Sequence, residues 1–191
     1  ILFSNADGEN INSLAFHGDG CFDSKAILSF LEEQVRKGVL NADIVLLNCG
    51  LHDIKTDPKT GEKQVPILEY EKNLRKIVQI FNDLKKSLVW VRTTLFDEEK
   101  HNRARLGFYR YLSDAMEYNR VADNVMQEHN VPWIDLCAFT QHLGSNLYCD
   151  HVHFRDAIRR KQAAHIATWL VEYFDLKKRQ FLQNEEQDNS K

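Results

Sequence analysis

The chain reads as an α/β fold, a parallel sheet lying between two layers of helices. Three observations carry that reading. Ile44–Cys49, Leu88–Thr94 and Val131–Leu136 are short, nearly unbroken apolar runs, the pattern of strands covered on both faces. Segments with helical spacing alternate with them. Strand, helix, strand, helix in that order implies right-handed crossovers and a doubly wound sheet.

Ser24–Lys37 predicts the first helix, with Ile27, Leu28, Leu31 and Val35 on one face, Asp23 or Ser24 available as a cap and Gly38 as the stop. Leu68–Lys86 repeats the pattern through Tyr70, Leu74, Ile77, Ile80, Phe81 and Leu84. Tyr109–His129 does so through Leu112, Met116, Val121, Val125 and Met126. Arg155–Phe174 would bury Ile158, Ala163, Ile166, Trp169, Leu170 and Phe174. Asp57–Gly61 is a turn cluster. Phe96–Gly107 reads as a polar, charged loop able to lie over a site, and the polar tail from Leu176 is expected to fray.

At 191 residues, with 43% hydrophobic and 28% charged content, the chain suits one globular domain over residues 1–175. A net charge of -3 argues against a nucleic-acid partner, which selects a basic patch. No apolar run approaches the roughly 20 residues of a membrane span, and no signal-peptide pattern stands at the start. Cys21, Cys49, Cys137 and Cys149 are scattered without a C-x-x-C pair. Two disulfides are permitted, but their apolar neighbours suit buried free thiols.

Two stretches hold chemistry. Asp150-His151-Val152-His153 sets a carboxylate three residues before an imidazole, just ahead of the last helix. Asn48-Cys49-Gly50-Leu51-His52-Asp53 is a strand end breaking at a glycine into polar residues, the place where a sheet of this kind presents functional groups. Read without further context, His153 is a surface or capping histidine, and Asp150, His151 and His153 make a weak metal cluster lacking a third-ligand motif.

Taken together, these blocks resemble the SGNH, or GDSL-like, hydrolase superfamily. Gly50-Leu51-His52-Asp53 is similar to its Gly-x-Asn-Asp block, in the form Gly-Leu-His-Asp found in a bacterial branch. Asp150-His151-Val152-His153 is similar to its Asp-x-x-His block, and Val65–Leu74 to the segment entering the helix after Gly-x-Asn-Asp. The likeness runs from about Phe16 to Phe174. It implies a flavodoxin-like three-layer α/β/α fold and a serine esterase acting on a small acyl ester, an O-acetyl sugar or a simple alkyl ester. No cofactor and no metal are implied.

The resemblance also implies roles. His153 is the general base for a serine hydroxyl, and Asp150 orients its ring. His52 stands where the superfamily has its oxyanion-hole asparagine. It either donates to the oxyanion, subject to tautomer and pH, or hydrogen-bonds across its loop. Asp53 fixes that loop. Gly20, with Gly18 as second choice, supplies a backbone N–H to the same hole, or else belongs to an ordinary glycine turn.

The superfamily's Gly-Asp-Ser block is absent from the sequence. Ser24 reads as a helix cap, and Ser4 lies too close to Gly20 for an intervening helix and strand. Ile1-Leu2-Phe3 is therefore expected to be the second strand, with roughly 25 to 40 residues of first strand and helix upstream, the serine among them. The alternative is a non-catalytic relative that binds a glycan or acylated ligand on the same scaffold.

Overall fold

Ile44–Leu47 forms a strand whose four residues are all buried, because an apolar run in extended backbone sends alternate side chains to opposite faces. Val45 and Leu47 enter one core, Ile44 and Leu46 another. The structure, a computed structural model, describes residues 2–4, 13–15, 22–42 and 44–188, with side chains over 22–42 and 44–179. In chain order its strands are β1 (Leu2–Ser4), β2 (Ser13–Ala15), β3 (Ile44–Leu47), β4 (Ser87–Val91) and β5 (Trp133–Ile134). The helices are α1 (Ser24–Lys37), α2 (Ile67–Asp83), α3 (Glu98–Arg103), α4 (Leu112–Glu128), α5 (Leu136–Gln141) and α6 (Asp156–Asp188).

The strands form one sheet in the order β2-β1-β3-β4-β5. β3 and β4 run parallel, with Ile44 opposite Ser87 and Leu47 opposite Trp90. β5 continues in parallel, Trp90 beside Trp133. The expected parallel sheet holds for these three strands. The amino-terminal end differs, because β1 lies antiparallel to both β2 and β3. Residues 5–12 are too few for a parallel crossover, which needs a dozen or more. β2 then runs the same way as β3, and α1 joins the two across β1. The strand entering the Gly18–Gly20 region is thus Ser13–Ala15, rather than Ile1-Leu2-Phe3.

α1, α2 and α4 cover one face. Leu28 and Leu31, then Tyr70, Leu74, Ile77, Val78 and Phe81, then Ala122, Val125 and Met126 pack against Val45, Leu88 and Trp90. Each large side chain so buried contributes about 1.5–3 kcal/mol. α6 covers the other face with Ile166, Trp169, Leu170 and Phe174 over Ile44, Val89 and Ile134. The result is three layers.

The first helix matches its predicted span. The Asp23 side chain accepts from the Ala26 amide at 2.9 Å, and Gly38 closes the helix in the left-handed region at φ 66°. Two expectations are corrected. Phe96–Gly107 contains α3, capped by Asp97, whose carboxylate accepts from the Lys100 amide. α6 continues through the tail expected to fray, as far as Asp188. From Asp175 to Asp188 there is neither Gly nor Pro, and Leu, Lys, Arg, Gln and Glu sustain a helix well. Among the described residues no helix is long and apolar enough to cross a membrane.

Candidate active site

β3 ends in a braced turn. The Cys49 carbonyl accepts from Thr93 Oγ1 at 2.7 Å and from the Tyr70 hydroxyl at 3.3 Å. Asn48 Nδ2 donates to the Val91 carbonyl and to Thr93 Oγ1, which joins the carboxyl ends of β3 and β4. Gly50 takes φ 132°, and a Cβ there would stand 3.1 Å from Thr93 Oγ1. That close approach requires glycine. The turn closes with Ile54 N–H donating to the Gly50 carbonyl and Lys55 N–H to that of His52.

Asp53 is fully buried. Its Oδ1 accepts from the Ser24 amide at 2.9 Å, tying the turn to the start of α1. Oδ2 is buried without a hydrogen-bond partner. Burial pushes its carboxyl up to about 6, with Asp23 adding to the rise and Ser24 opposing it. The expectation that Asp53 holds the loop describes these contacts. His52 is half-buried, with Nδ1 enclosed and unpartnered. Burial, then the Lys55 and Arg110 cations, push its imidazole down to about 4. At neutral pH the ring is therefore uncharged and carries a single N–H.

Leu147–Arg155 doubles back on itself. Cys149 N–H donates to the His153 carbonyl and Arg155 N–H to that of Leu147, while the Tyr148 and Phe154 rings stack at 4.9 Å. At the tip, Asp150 Oδ1 accepts from the Val152 and His153 amides, both at 2.7 Å. Its Oδ2 lies 2.6 Å from His153 Nδ1. The backbone donors, foremost that of Val152, hold the carboxyl well below the usual carboxylate range. The His153 side chain is 74% exposed. His151 turns elsewhere, with Nδ1 4.0 Å from Asp150 Oδ1 and its ring 4.9 Å from that of His101.

The two turns meet a common segment, 96–111. Asp97 N–H donates to the His151 carbonyl at 2.9 Å. His101 sits among Phe96, Phe108 and His151. The Arg110 guanidinium lies 5.0 Å from the Phe108 ring centroid, and its Nε donates to the Leu51 carbonyl at 2.8 Å. Leu51 and Val152 pack against the same core.

Solved structures share this architecture. A lipase/acylhydrolase from Enterococcus faecalis aligns with a TM-score of 0.60 at 19% identity, over 78% of this chain and 70% of that one. The acetyl xylan esterase AlAXEase aligns at 0.61 and 18% identity, over 80% and 78%. The acetylxylan esterase Axe2 from Geobacillus stearothermophilus aligns at 0.58 and 23% identity, over 76% of this chain and 66% of its own. The chain has the α/β fold of these acylhydrolase and esterase structures. No protein-family model matches it, and no curated protein matches it in sequence.

On this fold Asp150 and His153 are in contact and His52 follows the carboxyl end of β3. Gly20 and its second choice Gly18 lie outside the described residues, as does Cys21. Ser4 ends β1. Among the described residues no three His, Cys, Asp or Glu side chains are placed to hold a metal. Cys49, Cys137 and Cys149 carry free thiols, the first two buried.

Sequence reasoning missed Thr93, Asn119, His101 and Arg110. Thr93-Thr94 after an apolar run was a usable signal for a strand end. Asn119 donates to the Thr93 carbonyl at 2.8 Å from inside α4, and a polar residue on the buried stripe of a helix hints at such a partner. His101 and Arg110 have no local signature.

Proposed function

We propose that the protein is an ester hydrolase that removes a small acyl group, with His153 as base and Asp150 as the group that orients it. The observation that carries this reading is the 2.6 Å contact between His153 Nδ1 and Asp150 Oδ2 on an otherwise exposed ring. A carboxylate at Nδ1 fixes the tautomer that leaves Nε2 free to accept a proton.

In the proposed cycle a serine outside residues 1–191 attacks the ester carbonyl carbon and passes its hydroxyl proton to His153 Nε2. His52 and the Gly20 amide donate to the oxyanion. The carbon–oxygen bond to the leaving alcohol breaks, and His153 returns the proton to that alcohol. Water, deprotonated by the same ring, then releases the acid and regenerates the serine. An acetylated sugar is the favoured substrate class, by analogy with the acetylxylan esterases that share the fold.

The absence of Gly-Asp-Ser from residues 1–191 favours a second reading, a non-catalytic domain that binds an acylated glycan. The test is hydrolysis of p-nitrophenyl acetate and of acetylated xylooligosaccharide by the full-length protein and its His153→Ala variant. Turnover lost in the variant supports the esterase. Turnover unchanged in the variant removes His153 from the mechanism. Saturable sugar binding with no turnover in either protein identifies the binder.

A further inference from the structure

We propose that Arg110 is a positioning residue for the Gly50–Asp53 turn, and so for His52, locking that turn onto the segment that also braces His151–His153. The inference rests on the esterase reading for the use made of His52, though its geometry does not.

Arg110 is 4% exposed, and a guanidinium stays charged at any accessible pH. A buried charge persists only where specific partners hold it. Its Nε donates to the carbonyl of Leu51, the residue before His52, at 2.8 Å. Its own backbone is clamped at both ends by Asn102 of α3. Asn102 Oδ1 accepts the Arg110 amide at 3.1 Å, and Nδ2 donates to the Arg110 carbonyl at 2.9 Å. The guanidinium also lies against Phe108, whose ring is 5.3 Å from His101, and His101 in turn faces His151. One side chain therefore spans the space between the turn after β3 and the packing behind the Asp150–His153 tip.

The charge has a second effect. Among the described residues, charged groups also act on His52. Burial disfavours its cation most, Lys55 and then Arg110 add to that, and Asp23 opposes them. An uncharged imidazole donates from one nitrogen, so a ring held neutral keeps one hydrogen-bonding pattern across the working pH range. Lys55 also lies over the Phe108 ring, 4.9 Å from its centroid, and donates its own amide to the His52 carbonyl within the turn, whereas Arg110 ties the turn to the separate segment 96–111.

The test compares Arg110→Gln with Arg110→Lys in the full-length protein. Ring 1H–15N spectra should place the His52 midpoint near 4 in the native protein and in Arg110→Lys, and raise it in Arg110→Gln, with burial and Lys55 still holding it below 6.5. For p-nitrophenyl acetate, kcat should fall roughly ten- to hundredfold in Arg110→Gln with KM within about twofold, and Arg110→Lys should recover part of the loss. An unmoved His52 midpoint in Arg110→Gln, or equal losses in both variants, overturns the assignment. If Arg110→Gln does not fold, the native Arg110 Nε–H decides: slow exchange with solvent supports the contact to Leu51, and fast exchange overturns it. A native protein that turns over no ester while its His52 midpoint shifts as stated refutes the esterase reading and leaves Arg110 as the anchor of the turn.

Discussion

Asp150 holds His153 from two directions at once: Oδ2 meets the ring at Nδ1, 2.6 Å away, while Oδ1 takes the His153 amide at 2.7 Å. Backbone and side chain of one histidine are thus fixed by one carboxylate. Both contacts come from a residue only three positions before His153.

Replacing Asp150 should therefore remove orientation as well as charge. In the full-length protein, Asp150→Asn is expected to lower kcat for p-nitrophenyl acetate by roughly 10⁴, and His153→Ala by at least as much. Combining the two should cost little more than the larger single loss, since residues acting as a unit are not additive. Additive losses in the double variant would separate their roles.

His52 should behave as a donor rather than a base. His52→Ala is expected to lower kcat about 10²–10³-fold. His52→Asn, which retains an N–H and does not titrate, should restore much of it and remove any His52 contribution to the acid limb of the pH profile. An inactive His52→Asn with an active His52→Ala would contradict this role.

His101 should make the protein acid-sensitive. Both ring nitrogens are buried without hydrogen-bond partners, and burial, with Arg110 and His151 adding, pushes the ring down to about 4 from an ordinary 6.5. Between those values the unfolded chain binds a proton that the folded one refuses, so stability falls as pH drops from 6.5 to 4, by on the order of 3 kcal/mol. Denaturant titrations should show that dependence flattened in His101→Phe, whose ring suits the Phe96 and Phe108 surroundings. An unchanged pH dependence would exclude His101 as its source.

Asp53 should act with the opposite sign. Its folded carboxyl is raised from 3.8 to about 6, so the folded protein keeps a proton that the unfolded chain has lost. The stability this contributes is present below 3.8 and disappears as pH rises through 6, again on the order of 3 kcal/mol. Asp53→Asn should remove that decline in the same titrations. Asp53→Ala should additionally leave the Ser24 amide unpaired, a loss of about 1–3 kcal/mol.

Gly50→Ala tests the turn itself. A side chain at φ 132° meets Thr93 Oγ1 at 3.1 Å and the Tyr70 hydroxyl at 3.4 Å, and such strain costs about 1–3 kcal/mol. Thermal unfolding should report the loss, and a neutral substitution would show that the turn yields freely.

Much of this was legible along the chain. β3 and α1 begin where apolar periodicity and the Asp23 cap place them, and the short-range pair Asp150 and His153 needed only its three-residue spacing to be found. α3 was hidden by its length, a single capped turn and a half of charged residues. The extension of α6 was hidden by polarity, because a helix of Lys, Gln and Glu has no apolar stripe to announce it.

Local order and spacing determined the class of fold, the alternation of elements and the candidate residues, since each depends on neighbours in sequence. Tertiary structure alone decided that β1 runs antiparallel, that Asp53 is sealed against α1, and that Arg110 reaches Leu51 across 59 positions of chain. Those outcomes turn on which surfaces exclude water together, and periodicity within one segment holds no record of its distant partners.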